Sequence, residues 1–223
     1  MDRELLVQTV AKFLLGVILT ALLIFIPAGT LAYAGGWLFM AVLFLPMFVL
    51  GSVLMARNPE LLRKRLKDKE ESKQQDMVVK LSAVMFLVGF IAAGLNYRFG
   101  WCVLPFGISV AAAISFLAGY LLYARVMKEN AFLSRIIEIQ DGQRVVDTGL
   151  YAVVRHPMYS ATLLLFLSMP LILGSLVSFV IFLAYPVLIA RRIHHEEAFL
   201  EEYLEGYRAY KQKVKYRLIP YIW

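Results

Sequence analysis

Charged residues are scarce in this sequence. Only 17% of its 223 residues are Asp, Glu, Lys or Arg, while 61% are hydrophobic, whereas an average soluble domain is about 25% charged. This scarcity excludes a soluble fold. The apolar residues form uninterrupted stretches without a helical or strand period. The length of the chain therefore indicates a number of membrane crossings rather than a number of soluble domains. We expect one integral membrane domain.

Cysteine and histidine are nearly absent. The single cysteine, Cys102, excludes an internal disulfide and a CxxC motif. Two of the three histidines, His194 and His195, are adjacent and would point about 100° apart on a helix, so they cannot ligate one metal ion as an HExxH motif does. We therefore expect no metal site. The sequence also lacks a P-loop or a Rossmann-type glycine turn, so a nucleotide-derived cofactor would have to be held in another way.

None of the five long apolar stretches contains an Asp, Glu, Lys, Arg or His; they cover residues 13–34, 36–56, 81–97, 99–124 and 157–190. Pumps and ion pathways normally need such groups at membrane depth. Their absence argues against transport and places any chemistry at a membrane face.

The lengths of these stretches predict the fold. A helix crosses the membrane in about 20 residues, so the first four stretches fit one crossing each, while the fifth has 34 residues. Near its middle stand Pro170 and the pair Gly174 and Ser175, where a helix is expected to break and turn back. The sequence therefore predicts an all-α integral membrane protein with about six membrane helices, four crossings plus a C-terminal helical hairpin.

The net charge of +7 is concentrated between the apolar stretches, with eight Lys and Arg in residues 57–80, five in 125–155 and seven in 191–217. Cytoplasmic loops collect these residues, and a hairpin allows all three segments to share one side. We expect both termini and the active site in the cytoplasm, and membrane lipids as partners of the basic segments. No basic stretch with interleaved aromatics lies outside the loops, so we expect no nucleic-acid partner.

The first motif, GLYAVVRHPMY, covers residues 149–159. Pro157 is well placed as the first residue of a membrane helix, with His156 as its N-cap. Such a helix start offers unpaired N–H groups and a positive dipole end to an anion. Together with Arg155, Tyr151 and Tyr159, this helix start suits a small zwitterion that carries a carboxylate and an aromatic base. The alternative is that Arg155 and His156 are interfacial residues before a membrane crossing and that the tyrosines belong to an aromatic belt, without binding a ligand.

The second motif follows the hairpin. Arg192 and Glu196 are four residues apart and share one helix face; the alternative is a surface ion pair. The hairpin returns them to the membrane face of His156, so the two motifs can form one pocket beside an apolar interior. A lipophilic substrate and a polar cofactor could meet there.

The segment before the first motif has two β-prone arms about the turn dipeptide Asp141-Gly142. The arms consist of Ile136, Ile137, Ile139, Val145 and Val146. We expect a small hairpin over the membrane face. The chain as a whole is expected to divide into N-terminal membrane helices, 1–126, and a cofactor-binding and catalytic region, 127–223.

These motifs resemble the isoprenylcysteine carboxyl methyltransferase family, membrane enzymes that use S-adenosylmethionine, with phospholipid N-methyltransferases as more distant relatives. The resemblance covers mainly residues 143–223. It implies that Arg192 is directed at the substrate carboxylate and that Arg192 and Glu196 are the catalytic pair. It also implies cofactor contacts from Gln143, Arg144, Val145, Val146, Tyr151, His156, Pro157, Met158, Tyr159 and Glu196.

The implied function is methyl transfer from S-adenosylmethionine to a lipophilic acceptor from the bilayer, with an isoprenylcysteine-type carboxylate as the leading acceptor. An amine acceptor, as in the phospholipid N-methyltransferases, would need a base such as Glu196, Glu197 or His195. The ending VKYRLIPYIW also resembles membrane sterol reductases that use NADPH. A membrane scaffold without catalysis is the remaining alternative.

Overall fold

The computed structural model describes residues 3–66, 73–133 and 137–223, and all the secondary-structure elements in these ranges are helices. A single 3-10 turn, Gly149–Ala152, precedes the sixth α-helix. The α-helices of the described residues are α1 (Arg3–Ala28), α2 (Ala34–Arg57), α3 (Pro59–Leu66), α4 (Lys73–Phe99), α5 (Phe106–Glu129), α6 (Pro157–Ile172), α7 (Leu176–Phe182), α8 (Ala184–Tyr203) and α9 (Tyr207–Lys213).

Among the described residues, five segments are long and apolar enough to cross a membrane: α1, α2, Met77–Phe99 in α4, α5, and Leu176–Tyr203, which joins α7 and α8. Helix α6 is also apolar, but its 16 residues extend only about 24 Å, less than the hydrocarbon thickness of about 30 Å. The predicted all-α membrane fold with about six membrane helices is confirmed.

The stretch 157–190 turns back on itself as the sequence predicts. The turn is at Gly174, which has a φ of +64°, and at Ser175, whose hydroxyl caps α7 by accepting the Ser178 N–H at 3.1 Å. Pro170 lies inside α6 without ending it. Helices α7 and α8 are separated at Leu183, because the ring of Pro186 obstructs the carbonyl four residues earlier.

Aromatic packing joins this hairpin to α4. Phe182 of α7 is fully buried and lies against Phe86 and Phe90, with ring centroids 5.3 and 6.0 Å apart. Gly89 provides the space, since a Cβ at this position would lie 2.3 Å from the Phe182 ring. The close packing fixes where α8 leaves the membrane and therefore where its polar residues stand.

The expected β-hairpin before α6 is wrong for residues 137–148, which contain no strand; Ile136 lies outside the described residues. The turn itself forms, because the Gln143 N–H donates to the Gln140 carbonyl at 2.9 Å and Gly142 has a φ of +69°. The arms do not pair because the Gln140 side chain binds the Phe132 carbonyl at 2.7 Å, while Val145 packs against a cluster that contains α9.

Candidate active site

A cavity of about 830 Å³ connects the start of α6 with the middle of α8. This volume is typical of a small-molecule site. Residues of α2, α4, α5, α6, α8 and α9 line it, together with the segment 143–146. The division of the chain at residue 126 stays a prediction, and the cavity draws on both parts.

One face of α8 runs along the cavity and changes character along its length. Tyr185, Ile189, Arg192, Glu196 and Leu200 all line the cavity and recur at intervals of three or four residues, as one helix face requires. Successive members are about 5–6 Å apart along the axis. From the membrane outward, this face of α8 is therefore first largely apolar, then polar at Arg192 and Glu196, and then apolar again at Leu200.

We divide the cavity accordingly into three zones. The membrane zone is the apolar end beside Tyr185, with walls from α2 and α4 that include Leu43, Met47, Leu50, Val79, Ala83 and Phe86. The polar zone consists of His156, Tyr159, Arg192 and Glu196. The outer zone consists of Val145, Leu200, Leu204, Tyr207 and Tyr210.

Tyr159 links the two expected catalytic residues. Its hydroxyl donates to Glu196 Oε2 at 2.5 Å and accepts from Arg192 Nε at 2.9 Å. The i, i+4 spacing places both residues on one face, as predicted, and the tyrosine of the first motif then fixes them from α6. One hydroxyl thus orients a cation and a carboxylate at the boundary of the apolar zone.

The start of α6 has the predicted form. His156 is the N-cap and Pro157 is the first helical residue. The His156 ring has two carboxylate neighbours: Nε2 lies 3.2 Å from Glu197 Oε1, and Nδ1 lies 3.9 Å from Glu196 Oε1. Pro157 is fully buried, while the other nine residues of the expected cofactor set line the cavity, namely Gln143, Arg144, Val145, Val146, Tyr151, His156, Met158, Tyr159 and Glu196.

Arg155 lines the cavity beside the start of α6, and its side chain also binds three groups of the protein. Its Nε donates to Glu197 Oε1 at 2.7 Å, and its Nη1 donates to the carbonyls of Val214 and Lys215 at 2.7 and 2.8 Å. The side chain is almost completely buried. Arg155 therefore ties the start of α6 to α8 and to the C-terminal segment.

Glu197 is the residue whose importance the sequence did not reveal. It is only 2% exposed and binds Arg155, His156 and also Arg217, whose Nε donates at 3.1 Å. Adjacent helix residues point about 100° apart, so Glu196 faces the cavity while Glu197 faces the protein. The sequence signal for Glu197 was its position directly after Glu196. Its cationic partners, Arg155 and Arg217, are distant in sequence, so the sequence did not reveal them.

The Gly-x-Tyr part of the first motif is held by the end of α5. The Leu150 N–H donates to Glu129 Oε2 at 2.7 Å, and Asn130 Nδ2 donates to the Tyr151 hydroxyl at 3.0 Å. Gly149 has a φ of +57°, and a Cβ there would lie 2.5 Å from Glu129. The glycine is needed both for its backbone conformation and for this close approach.

Tyr207 carries an unsatisfied hydroxyl. Its side chain lines the cavity and is 4% exposed, yet its hydroxyl has no hydrogen-bond partner among the residues that the structure describes. Leaving such a group unpaired costs about 1–3 kcal/mol. Burial, followed by the charges of Glu197 and Glu196, raises the pKa of Tyr207, so the phenol stays protonated as a donor. A ligand with an acceptor atom would satisfy it.

Residues 110–202 match the model of the isoprenylcysteine carboxyl methyltransferase (ICMT) family. The match includes the start of α6, the hairpin, Arg192 and Glu196, and it ends before Tyr207. The resemblance that the motifs indicate is confirmed over these residues, and this family implies a methyltransferase. No curated protein matches the chain.

Proposed function

We propose that this multi-pass membrane protein, whose residues 110–202 match the model of the ICMT family, transfers a methyl group from S-adenosylmethionine to a lipophilic carboxylate. An isoprenylcysteine-type group is the leading acceptor. One observation carries the proposal: a single cavity joins an apolar zone at membrane depth to a polar zone in which Tyr159 holds Arg192 and Glu196.

The membrane zone suits the lipid part of such an acceptor. Its walls come from α2 and α4, both of which are apolar enough to cross a membrane. At its polar end stands Arg192, whose planar guanidinium matches a carboxylate in geometry and charge. An acceptor with its tail in the membrane zone would therefore place its carboxylate beside Arg192.

The residues present also fit the methyl donor. S-adenosylmethionine would be held by Gln143, Arg144, Val145, Val146, Tyr151, His156, Pro157, Met158, Tyr159 and Glu196. The Tyr207 hydroxyl, which has no hydrogen-bond partner among the described residues, supports a ligand with an acceptor atom beyond the polar zone. When bound, this cofactor supplies a methyl group that its positive sulfonium has already activated. The Glu196 carboxylate adds a negative charge that favours a cationic ligand in the polar zone.

The chain's own contribution is positioning rather than proton transfer. A carboxylate acceptor is ionised at neutral pH, so it needs no general base. Arg192 would orient the acceptor, and Tyr159 fixes Arg192 relative to Glu196. Orientation and exclusion of water are sufficient to provide several kcal/mol of a transfer barrier.

The amine alternative finds little support in the site. Of the three candidate bases, Glu197 is buried in ion pairs with Arg155 and Arg217, and His195 is exposed and does not line the cavity. Glu196 remains, and it already accepts the Tyr159 hydroxyl. The carboxylate acceptor needs none of them.

Labelled-methyl transfer tests the proposal. The purified protein in detergent is supplied with labelled S-adenosylmethionine and either N-acetyl-S-farnesylcysteine or its carboxamide, which has the same lipid but no carboxylate. We expect a base-labile methyl ester from the acid alone. Phosphatidylethanolamine and NADPH test the alternatives: methylation of the amine, or saturable binding of NADPH without binding of S-adenosylmethionine, would contradict the proposal.

We also propose that both termini and the polar zone face the cytoplasm, as the placement of Lys and Arg favours. Cys102 is exposed between α4 and α5, at the opposite end of these helices. An impermeant maleimide should label Cys102 in intact cells. In the C102S background, K213C should react only after the membrane is opened; the reverse pattern would contradict the orientation.

A further inference from the structure

The outer zone continues the cavity beyond the polar zone, away from the membrane zone. Leu200 follows Glu196 by one helical turn, about 6 Å along the axis of α8, and Leu204 is the residue that caps the C-terminal end of α8. Val145 packs against Tyr207 and Tyr210 from the segment before α6. Its walls are therefore apolar and aromatic, although it lies next to a charged site.

Only one buried polar side-chain atom of the outer zone lacks a hydrogen-bond partner within the described residues. The Tyr210 hydroxyl donates to the Tyr151 carbonyl at 2.7 Å. The Tyr207 hydroxyl has no such partner, although its side chain is more than nine-tenths buried and lines the cavity. The outer zone thus offers flat apolar contacts and one hydrogen-bond donor.

We propose that the outer zone binds the purine base of the methyl donor and that the Tyr207 hydroxyl donates a hydrogen bond to a ring nitrogen of this base. This inference rests on the proposed function, which it extends from the reacting end of the cofactor to its base. Aromatic side chains bind bases through their faces, and a neutral phenol matches a neutral ring nitrogen.

The other possible occupants fit less well. A lipid tail in the outer zone would leave the buried hydroxyl unpaired, with the cost of a lost hydrogen bond. The charged amino-acid end of the donor would lose solvation among Val145, Leu200 and Leu204, whereas the polar zone offers it charged partners. The base is the part of the donor that combines a flat apolar surface with acceptor atoms.

The variant Y207F tests this assignment, with Y221F as the matched control because Tyr221 is 87% exposed and does not line the cavity. Calorimetry measures binding of S-adenosylhomocysteine and of 5′-methylthioadenosine, which has the base but no amino-acid part. We expect Y207F to weaken both ligands about tenfold, the effect of one hydrogen bond to a buried acceptor. Y221F should bind both like the wild type.

Thermal unfolding without ligand separates this role from a structural one. Since the hydroxyl has no protein partner among the described residues, Y207F should unfold at the same temperature as the wild type or higher. A lower unfolding temperature in Y207F would assign the hydroxyl to the fold and overturn the inference.

A second measurement changes the ligand and has its main readout in the wild type. Deaza analogues of S-adenosylhomocysteine lack single ring nitrogens, and we expect one of them to bind the wild type about tenfold more weakly than the parent ligand, with no such difference in Y207F. Two results would overturn this inference but not the proposed function. One is equal binding of every ligand by the wild type and Y207F; the other is a Y207F variant that loses affinity for S-adenosylhomocysteine but not for 5′-methylthioadenosine. A wild type that binds no S-adenosylhomocysteine would overturn the proposed function as well.

Discussion

Glu197 and Arg155 form a buried ion pair, with 2.7 Å between Glu197 Oε1 and Arg155 Nε and with only 3% and 4% of their side chains exposed. Glu197 also binds the His156 ring and the Arg217 guanidinium. One carboxylate of α8 therefore fixes the start of α6 and the C-terminal segment. The cavity-facing residues on either side depend on this junction.

The variant E197Q should lower the free energy of unfolding by about 3–5 kcal/mol, because it leaves the buried charge of Arg155 without its partner. Thermal or denaturant unfolding in one detergent measures the effect. E205Q is the control, since Glu205 is exposed and follows the end of α8 by two residues. Equal stability of the two variants would show that the ion pair does not hold the junction.

The variant Y159F should lower kcat/KM for methyl transfer about 10- to 100-fold, because Arg192 and Glu196 lose the hydroxyl that orients both. The unfolding temperature should change far less than in E197Q. Y97F is a matched control, as its hydroxyl binds the Ala32 carbonyl between α1 and α2. Full activity in Y159F would contradict the bridging role.

The variant R192A should reduce kcat/KM for N-acetyl-S-farnesylcysteine about 10- to 100-fold, the effect of a lost charge-assisted hydrogen bond. Binding of S-adenosylhomocysteine should stay within about threefold of the wild type, and R192K should recover part of the activity. Kinetics with the acid and calorimetry with the cofactor product separate these effects. An R192A variant that methylates the carboxylate normally would refute the assignment of Arg192.

The variant G94A should destabilise the protein by about 1–3 kcal/mol, the usual effect of overpacking. A Cβ at Gly94 would lie 2.5 Å from the Ile24 carbonyl, so α1 and α4 would have to separate. G107A is the control: its Cβ meets no atom within 4 Å, and the variant should be neutral or more stable by about 0.5–1 kcal/mol. Unfolding measured in the same detergent compares them, and equal effects would contradict close packing of α1 on α4.

Stability should also decline at alkaline pH in a way that depends on Tyr207. Burial and the nearby glutamates raise the pKa of Tyr207, so folding is favoured while the unfolded phenol, with a pKa of about 10, is still protonated. This contribution is complete below pH 10 and is lost as the pH rises toward the folded value. Between pH 8 and 10.5 the unfolding temperature should fall more in the wild type than in Y207F; parallel curves would contradict this.

The features that the sequence predicted correctly depend on neighbouring residues. His156 and Pro157 begin α6 because a proline without an N–H fits the first helical turn, and Gly174 with Ser175 supports a left-handed turn and a cap. Arg192 and Glu196 share a face because helix geometry requires it. The predicted arms about Asp141-Gly142 do not form a hairpin. The turn depends only on neighbouring residues, whereas the place of Val145 depends on its packing against a cluster that contains α9.

The amino-acid sequence by itself determined that this protein lies in a membrane, where its chain turns back and which residues share the cavity face of α8, because hydropathy, helix breaking and helix periodicity act over a few residues. Only the tertiary structure decided that Arg155 binds Glu197 and the C-terminal segment, and that the Tyr207 hydroxyl lacks a partner within the described residues. These outcomes depend on packing between segments that are up to 60 residues apart, and no local pattern specifies which buried polar group is left for a ligand.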